Sequence, residues 1–151
     1  MIDTLPEGIN LQMSNSSVVR YCQLFEPIGS VDYYANRGVS GIDGSTSTAV
    51  GMAVANPQKL VVLITGDISF FYDSNALWNS YLPSNLRVCL INNNGGGIFN
   101  IIDGPKNSKQ NEMFVAPHKA KAKSICEAFD CNYLELTTFE SLESTMAAFY
   151  Q

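Results

Sequence analysis

The sequence has a single histidine, His118, and its four cysteines, Cys22, Cys89, Cys126 and Cys131, form no C-x-x-C pair. A structural zinc site needs four closely spaced nitrogen or sulfur ligands, so zinc is excluded. Cationic residues are scarce as well, with nine Lys and Arg against fourteen Asp and Glu and a net charge of −5. A general nucleic-acid binder needs a basic face, and this chain does not encode one. Charged residues of both signs make up only 15% of the chain and hydrophobic residues 46%, a composition that excludes disorder. No apolar run reaches membrane-spanning length, and no basic segment leads into a secretory h-region. G-x-G-x-x-G and G-x-x-x-x-G-K-[ST] are also missing, which argues against a nucleotide cradle of either familiar kind. These absences lead us to expect a soluble, cytoplasmic protein with no nucleic-acid or membrane partner. Cys22, Cys89 and Cys126 lie in apolar runs and read as buried thiols of a reducing compartment.

At 151 residues the chain fits one domain, able to bury about two thirds of the surface its unfolded form exposes. Short apolar, β-branched runs fall at residues 33–35, 60–65, 87–92 and 132–137, with a weaker one at 9–13. Between them the spacing is helical. Ile125, Cys126 and Phe129 share one face, as do Phe139, Leu142, Met146 and Phe149. Asp43 or Ser45 can cap a helix that runs to about Ala55 and is ended with the help of Pro57. Lys119, Lys121 and Lys123 alternate with alanines and read as a solvated helix face. The runs at 60–65 and 88–91 lack polar alternation, as a strand buried on both faces must. The expected architecture is therefore α/β, a mainly parallel sheet covered by helices on both sides. Ligands of such sheets bind beyond the carboxyl ends of the strands, where residues 36–44, 66–69 and 92–97 fall.

Those tips carry the chemistry. Gly66-Asp67-Ile68-Ser69 is followed after 22 residues by Asn92-Asn93-Asn94-Gly95-Gly96-Gly97. The first tip presents a carboxylate beside a glycine that permits close backbone approach. The second presents carboxamides and then a backbone rich in carbonyls and N–H groups. Carboxylate, carboxamide and carbonyl oxygens are hard ligands suited to Mg²⁺, which takes its remaining ligands from phosphate and water. Two adjacent strand tips can thus hold a magnesium-diphosphate unit. Arg20 and Arg37 are two of only three arginines, and an Arg fork recognises a carboxylate better than Lys does.

The span from Gly66-Asp67 to Asn92-Asn93 resembles the signature of thiamine-diphosphate enzymes, which begins Gly-Asp-Gly, with Ile68 in the third position and a slightly short interval. The tracts Asn36-Arg37-Gly38-Val39-Ser40-Gly41-Ile42-Asp43-Gly44, Asn15-Ser16-Ser17-Val18-Val19-Arg20 and Leu90-Ile91-Asn92-Asn93-Asn94-Gly95-Gly96-Gly97-Ile98-Phe99 look like the MenD family in particular. Members of that family are 2-succinyl-5-enolpyruvyl-6-hydroxy-3-cyclohexene-1-carboxylate synthases. The resemblance runs from about Ser14 to Ile102 and continues weakly to the end.

This resemblance implies a three-layer, Rossmann-like thiamine-diphosphate-binding fold, with residues 1–151 as the C-terminal domain of a longer enzyme. Because a helix that ends an α/β unit normally leads into another strand, we expect this domain to be truncated before its last strand. The resemblance implies Asp67, Asn93 and the Gly95 carbonyl as ligands of Mg²⁺ (or Mn²⁺), and Gly66, Asp67, Ile68, Ser69 and Asn94 around the diphosphate of thiamine diphosphate. Ile42 would be the shelf on which the cofactor bends. Ser16, Arg20 and Arg37 would hold substrate carboxylates, and Ile98 and Ile102 would form the apolar wall. The implied reaction decarboxylates 2-oxoglutarate and adds the succinyl-semialdehyde unit to isochorismate, with other domains of the same chain and a second subunit as partners. The catalytic glutamate of such enzymes belongs to a separate domain, and none of the seven glutamates here matches its motif. Rival readings are another thiamine enzyme, of the acetolactate synthase or 2-oxoacid decarboxylase type, a nucleotide-binding regulatory module, or a purely structural assembly domain.

Overall fold

A computed structural model describes residues 1–151. Four strands, β1 (Asn10–Met13), β2 (Asp32–Ala35), β3 (Val61–Gly66) and β4 (Leu86–Ile91), form one sheet in the order β2-β1-β3-β4. Every pairing is parallel. Asn10 stands opposite Asp32 on one side and Val61 on the other, and Ile64 opposite Cys89. All four strands therefore end at the same edge.

β3 explains the layering. Its side chains alternate between faces, and both sets are apolar and buried. Val61 and Leu63 pack with Ala49 and Ala53 of α2 (Ser45–Ala55). Val62 and Ile64 pack on the other side with Leu11, Met13 and Val18, the last from α1 (Ser17–Cys22). Each fully buried Val, Leu or Ile contributes about 1.5–3 kcal/mol, so a polar residue anywhere in residues 61–64 would be costly. The remaining helices are α3 (Asp67–Tyr72), α4 (Asn111–Val115), α5 (Ala122–Ala128) and α6 (Leu142–Tyr150). No helix is long and apolar enough to cross a membrane.

Neither Asp43 nor Ser45 caps α2. Gly44 occupies the cap position at φ 73°, with no side-chain cap bond. The first turn is instead satisfied from a distance, where buried Asp73 accepts the Ser47 N–H at 2.7 Å and the Ser47 hydroxyl at 2.6 Å. At the other end, the Asn85 carboxamide reaches the carbonyls of Ala53, Asn56 and Lys59 at 2.7–3.1 Å. Asp73→Ala removes one end of this bracket and should cost about 1–3 kcal/mol. We expect a drop in thermal midpoint of roughly 2–12 °C, measured by circular dichroism. An unchanged midpoint would mean that the bracket contributes nothing.

Four sequence expectations need correction. Residues 132–137 form no strand. The sheet ends at β4, whose outer edge has no partner, and an apolar groove of about 630 Å³ lies between that edge and this segment. Leu86, Val88, Leu90, Tyr133, Leu134 and Phe149 line the groove. A β-branched or aromatic sequence becomes a strand only where another strand accepts its hydrogen bonds, and none lies beside it. Phe139 lies outside α6 and is fully exposed, leaving Met146 as the buried residue of that helix. Lys119 and Lys121 precede α5, so only Lys123 sits on it, at 4.0 Å from Glu127. The cysteines are all free and half-buried rather than buried, although burial pushes the Cys89 thiol up to about 11.

Candidate functional site

Because the strands are parallel, the loops after all four converge on one edge of the sheet. Asp67 begins α3 directly after β3 and is 2% exposed. Its Oδ1 accepts the Ile68 N–H at 2.7 Å, and its Oδ2 accepts the Gly95 N–H from the loop after β4 at 2.9 Å. No Lys or Arg stands within ion-pair distance of this carboxylate. A buried carboxylate held by N–H groups, with no Lys or Arg beside it, is suited to take a cationic ligand.

Nothing in the order of residues marks the other group at Asp67 beyond its being the only histidine. His118 Nε2 lies 3.2 Å from Asp67 Oδ2, with its ring edge-on to Phe71 at 5.2 Å. That approach is off the hydrogen-bonding line, and both ring nitrogens are buried without a partner. His118 arrives on a strap formed by α4 and the residues after it. The strap bonds to the loop after β4 twice, Gly96 N–H to the Val115 carbonyl at 2.6 Å and His118 N–H to the Asn94 carbonyl at 3.2 Å. The fit is close at Gly95, where an added Cβ would stand 2.8 Å from the Val115 carbonyl oxygen. Gly95→Ala should therefore overpack the strap, at a cost of about 1–3 kcal/mol. Thermal unfolding reads this directly, and a wild-type midpoint would show that the strap does not press on the loop.

The remaining candidates are placed unevenly. Gly95 is buried and touches Asp67, but its carbonyl already accepts the Gly97 N–H at 2.9 Å, leaving one lone pair for a metal. Asn93 is exposed, and its carboxamide lies against Gly97, where a Cβ would collide with it. Asn94 takes the left-handed conformation at φ 60° and is exposed. Gly66 donates its N–H to Ser14 Oγ at 3.3 Å, which ties the tips of β3 and β1. The Ser69 hydroxyl donates to the Ile42 carbonyl, so the residues expected at the diphosphate and at the shelf are directly linked.

Ser16 precedes α1 at the cap position, and Arg20 lies within its last turn. Ser16 has φ 70°, a conformation that costs a serine about 1–3 kcal/mol and that marks a constrained position. Its side chain makes no cap bond. Arg20 and Arg37 are both exposed, and Arg37 Nη1 donates to Asn15 Oδ1 at 2.6 Å. Ile98 and Ile102 are half-buried one turn apart, joined by the bond from Ile102 N–H to the Ile98 carbonyl at 3.1 Å. The structure therefore brings Asp67 to Gly95 and Ser69 to Ile42. It makes no hydrogen bond between Asn93 and Asp67, or between Arg20 and Arg37.

Comparison with known proteins identifies the family. The chain is 51% identical over 147 residues to the 2-succinyl-5-enolpyruvyl-6-hydroxy-3-cyclohexene-1-carboxylate synthase of Christiangramia forsetii, covering 97% of this chain and 25% of that protein. It is 48% identical over 151 residues to the synthase of the same name from Flavobacterium johnsoniae, covering 99% of this chain and 27% of that protein. The chain thus spans about a quarter of the length of the curated relatives it matches. The crystal structure of benzoylformate decarboxylase from Polynucleobacter necessarius shares the fold, with a TM-score of 0.72 at 16% identity over 98% of this chain and 29% of that one. The family model for the thiamine pyrophosphate enzyme C-terminal TPP-binding domain matches residues 14–151, and the chain belongs to that family.

Proposed function

We propose that this chain is the C-terminal, diphosphate- and magnesium-binding domain of a MenD-type synthase, which decarboxylates 2-oxoglutarate and transfers the succinyl-semialdehyde unit to isochorismate. The observation that carries the reading is buried Asp67, held at the tip of β3 by the Gly95 N–H of the adjoining tip and left without a cationic side chain. That donor set fits Mg²⁺ or Mn²⁺. Asp67 supplies the formal charge, the Gly95 carbonyl a second oxygen, and Asn93 a third once its exposed carboxamide turns from Gly97. Backbone from Gly66 to Ser69 and the Asn94 side chain line the diphosphate.

Thiamine diphosphate, when bound, supplies the electron sink for decarboxylation, and the chain supplies orientation and charge. The Ser69 hydroxyl donates to the Ile42 carbonyl and so ties the apolar shelf to the diphosphate cradle. Ser16, Arg20 and Arg37 present a hydroxyl and two cations at the same edge for the carboxylates of the substrates. Ile98 and Ile102 present an apolar wall that excludes water.

None of the strand-tip loops at 14–16, 36–44, 66–69 and 92–97 contains a glutamate. On the resemblance to thiamine-diphosphate enzymes, we assign the proton relay to another domain, at an interface with a second subunit. The 151-residue chain alone, with saturating cofactor, magnesium and 2-oxoglutarate, is therefore expected to fold and to release no carbon dioxide above a protein-free control. Sustained turnover would place the base within this chain and end the half-site reading. In the full-length enzyme, consumption of pyruvate in preference to 2-oxoglutarate would transfer the domain to an acetolactate synthase or decarboxylase.

A further inference from the structure

Asn15 sits at the tip of β1, is 2% exposed, and uses its whole carboxamide on one distant loop. Its Nδ2 donates to the carbonyl of Asn36 at 2.7 Å and to that of Gly41 at 2.6 Å. Its Oδ1 accepts from Arg37 Nη1 at 2.6 Å. A single side chain thus grips the loop at two points and also holds the guanidinium carried between them.

The chemistry is specific to asparagine. Two donors and an acceptor on so short a stem are what this arrangement needs. Aspartate keeps the acceptor and loses both donors, and glutamine reaches one methylene too far. The loop is anchored beyond Asn15 as well. Asn36 Oδ1 accepts from Gln12 Nε2 at 2.9 Å, and Asn36 Nδ2 donates to Thr48 Oγ1 at 2.9 Å. The next residue is Ser16, at φ 70°. A strained conformation of this kind persists only where the surroundings impose it, and the three bonds of Asn15 hold the chain immediately before it.

An exposed arginine loses rotamer entropy on gripping a ligand, and anchoring one of its nitrogens beforehand removes part of that loss. Nη1 is anchored, and the rest of the fork remains for a carboxylate. We propose that Asn15 is a positioning residue that pre-orients Arg37, and the loop bearing it, for the carboxylate of an anionic substrate. The inference rests on the carboxylate-binding reading of Arg37.

The chain contains its own references for a test. Arg87 is locked by bonds from Nε to the Phe149 carbonyl at 2.6 Å and from Nη1 to the Ser84 and Leu86 carbonyls at 2.7 and 2.9 Å. Arg20 is exposed and makes no side-chain bond. In the ¹⁵N-labelled full chain these three arginines give three Nε–H signals, and Arg37→Ala identifies the one of interest. The heteronuclear NOE of Arg37 should lie near that of Arg87, and in Asn15→Ala it should fall to that of Arg20. In the full-length enzyme, Asn15→Ala should raise the KM for 2-oxoglutarate by roughly two- to tenfold, the range of one hydrogen bond. The kcat should stay within about twofold, and the effect should vanish in an Arg37→Ala background.

An Arg37 signal as rigid in Asn15→Ala as in the wild type overturns the proposal, as does an effect that adds fully to Arg37→Ala. Should Asn15→Ala not fold, Asn15→Asp carries the test. Arg37 should then stay ordered against the new carboxylate while the KM rises, because that charge competes with the substrate, and an unchanged KM overturns the proposal. If Arg37→Ala itself leaves the KM unchanged, the carboxylate reading fails. The NOE still decides separately whether Asn15 orders Arg37.

Discussion

Asp67→Ala in the full-length enzyme is expected to abolish magnesium-dependent binding of thiamine diphosphate while leaving the domain folded. Asp67 is the only carboxylate among the proposed metal ligands, so its loss removes all the formal negative charge the protein gives the cation. Removing a group that only hydrogen-bonds to a metal ligand typically costs 10–100-fold in affinity. Loss of the charged ligand should exceed about a hundredfold. The fold should persist because the core on both faces of β3 is remote from this oxygen chemistry. The Ile68 and Gly95 N–H groups lose their acceptor, which is worth about 1–3 kcal/mol apiece if water does not replace it. Calorimetric titration of the cofactor with and without magnesium, beside a far-ultraviolet circular-dichroism spectrum, is the measurement. Wild-type affinity in a folded variant would sink the metal assignment.

Arg37→Ala should act on the acid substrate and leave the cofactor nearly untouched. Its guanidinium is exposed at the edge of the site, with one nitrogen bonded to Asn15 and the rest of its donors available. A charge-assisted hydrogen bond contributes about 1.5–3 kcal/mol, so the KM for 2-oxoglutarate should rise roughly tenfold or more. Arg37→Lys should recover only part of this, since an ammonium cannot reproduce the planar fork. Steady-state kinetics with each ligand varied separately distinguishes the roles. A shift in the cofactor constant with an unchanged 2-oxoglutarate constant would remove Arg37 from substrate binding.

Much of this molecule was legible in the order of its residues. The continuous apolar runs at 60–65 and 88–91 both become parallel strands, β3 buried on both faces as expected, but β4 only half-buried because it is the last strand of the sheet and borders the groove. The helix to Ala55 ends as expected because Pro57 follows it and cannot extend it. Gly66-Asp67 and the asparagine-glycine tract are local patterns, and parallel strands bring such tips to one edge. That edge is where Asp67 meets Gly95.

What only the tertiary structure decided is every choice that depends on a partner distant in sequence. Residues 132–137 have strand propensity, but a strand is made by its neighbour, and β4 presents an apolar groove instead. Asp43 and Ser45 are good caps by type, yet Asp73, 26 residues from Ser47, takes the role. His118 beside Asp67, and Asn15 beneath Arg37, lie 51 and 22 residues from the groups they touch, and no spacing rule reaches so far. Periodicity and motif encode which surfaces must be buried and which residue types share a loop. Which buried donor meets which acceptor follows from how the loops cross once the sheet has formed, because a hydrogen bond depends on ångström-scale placement that sequence separation does not carry.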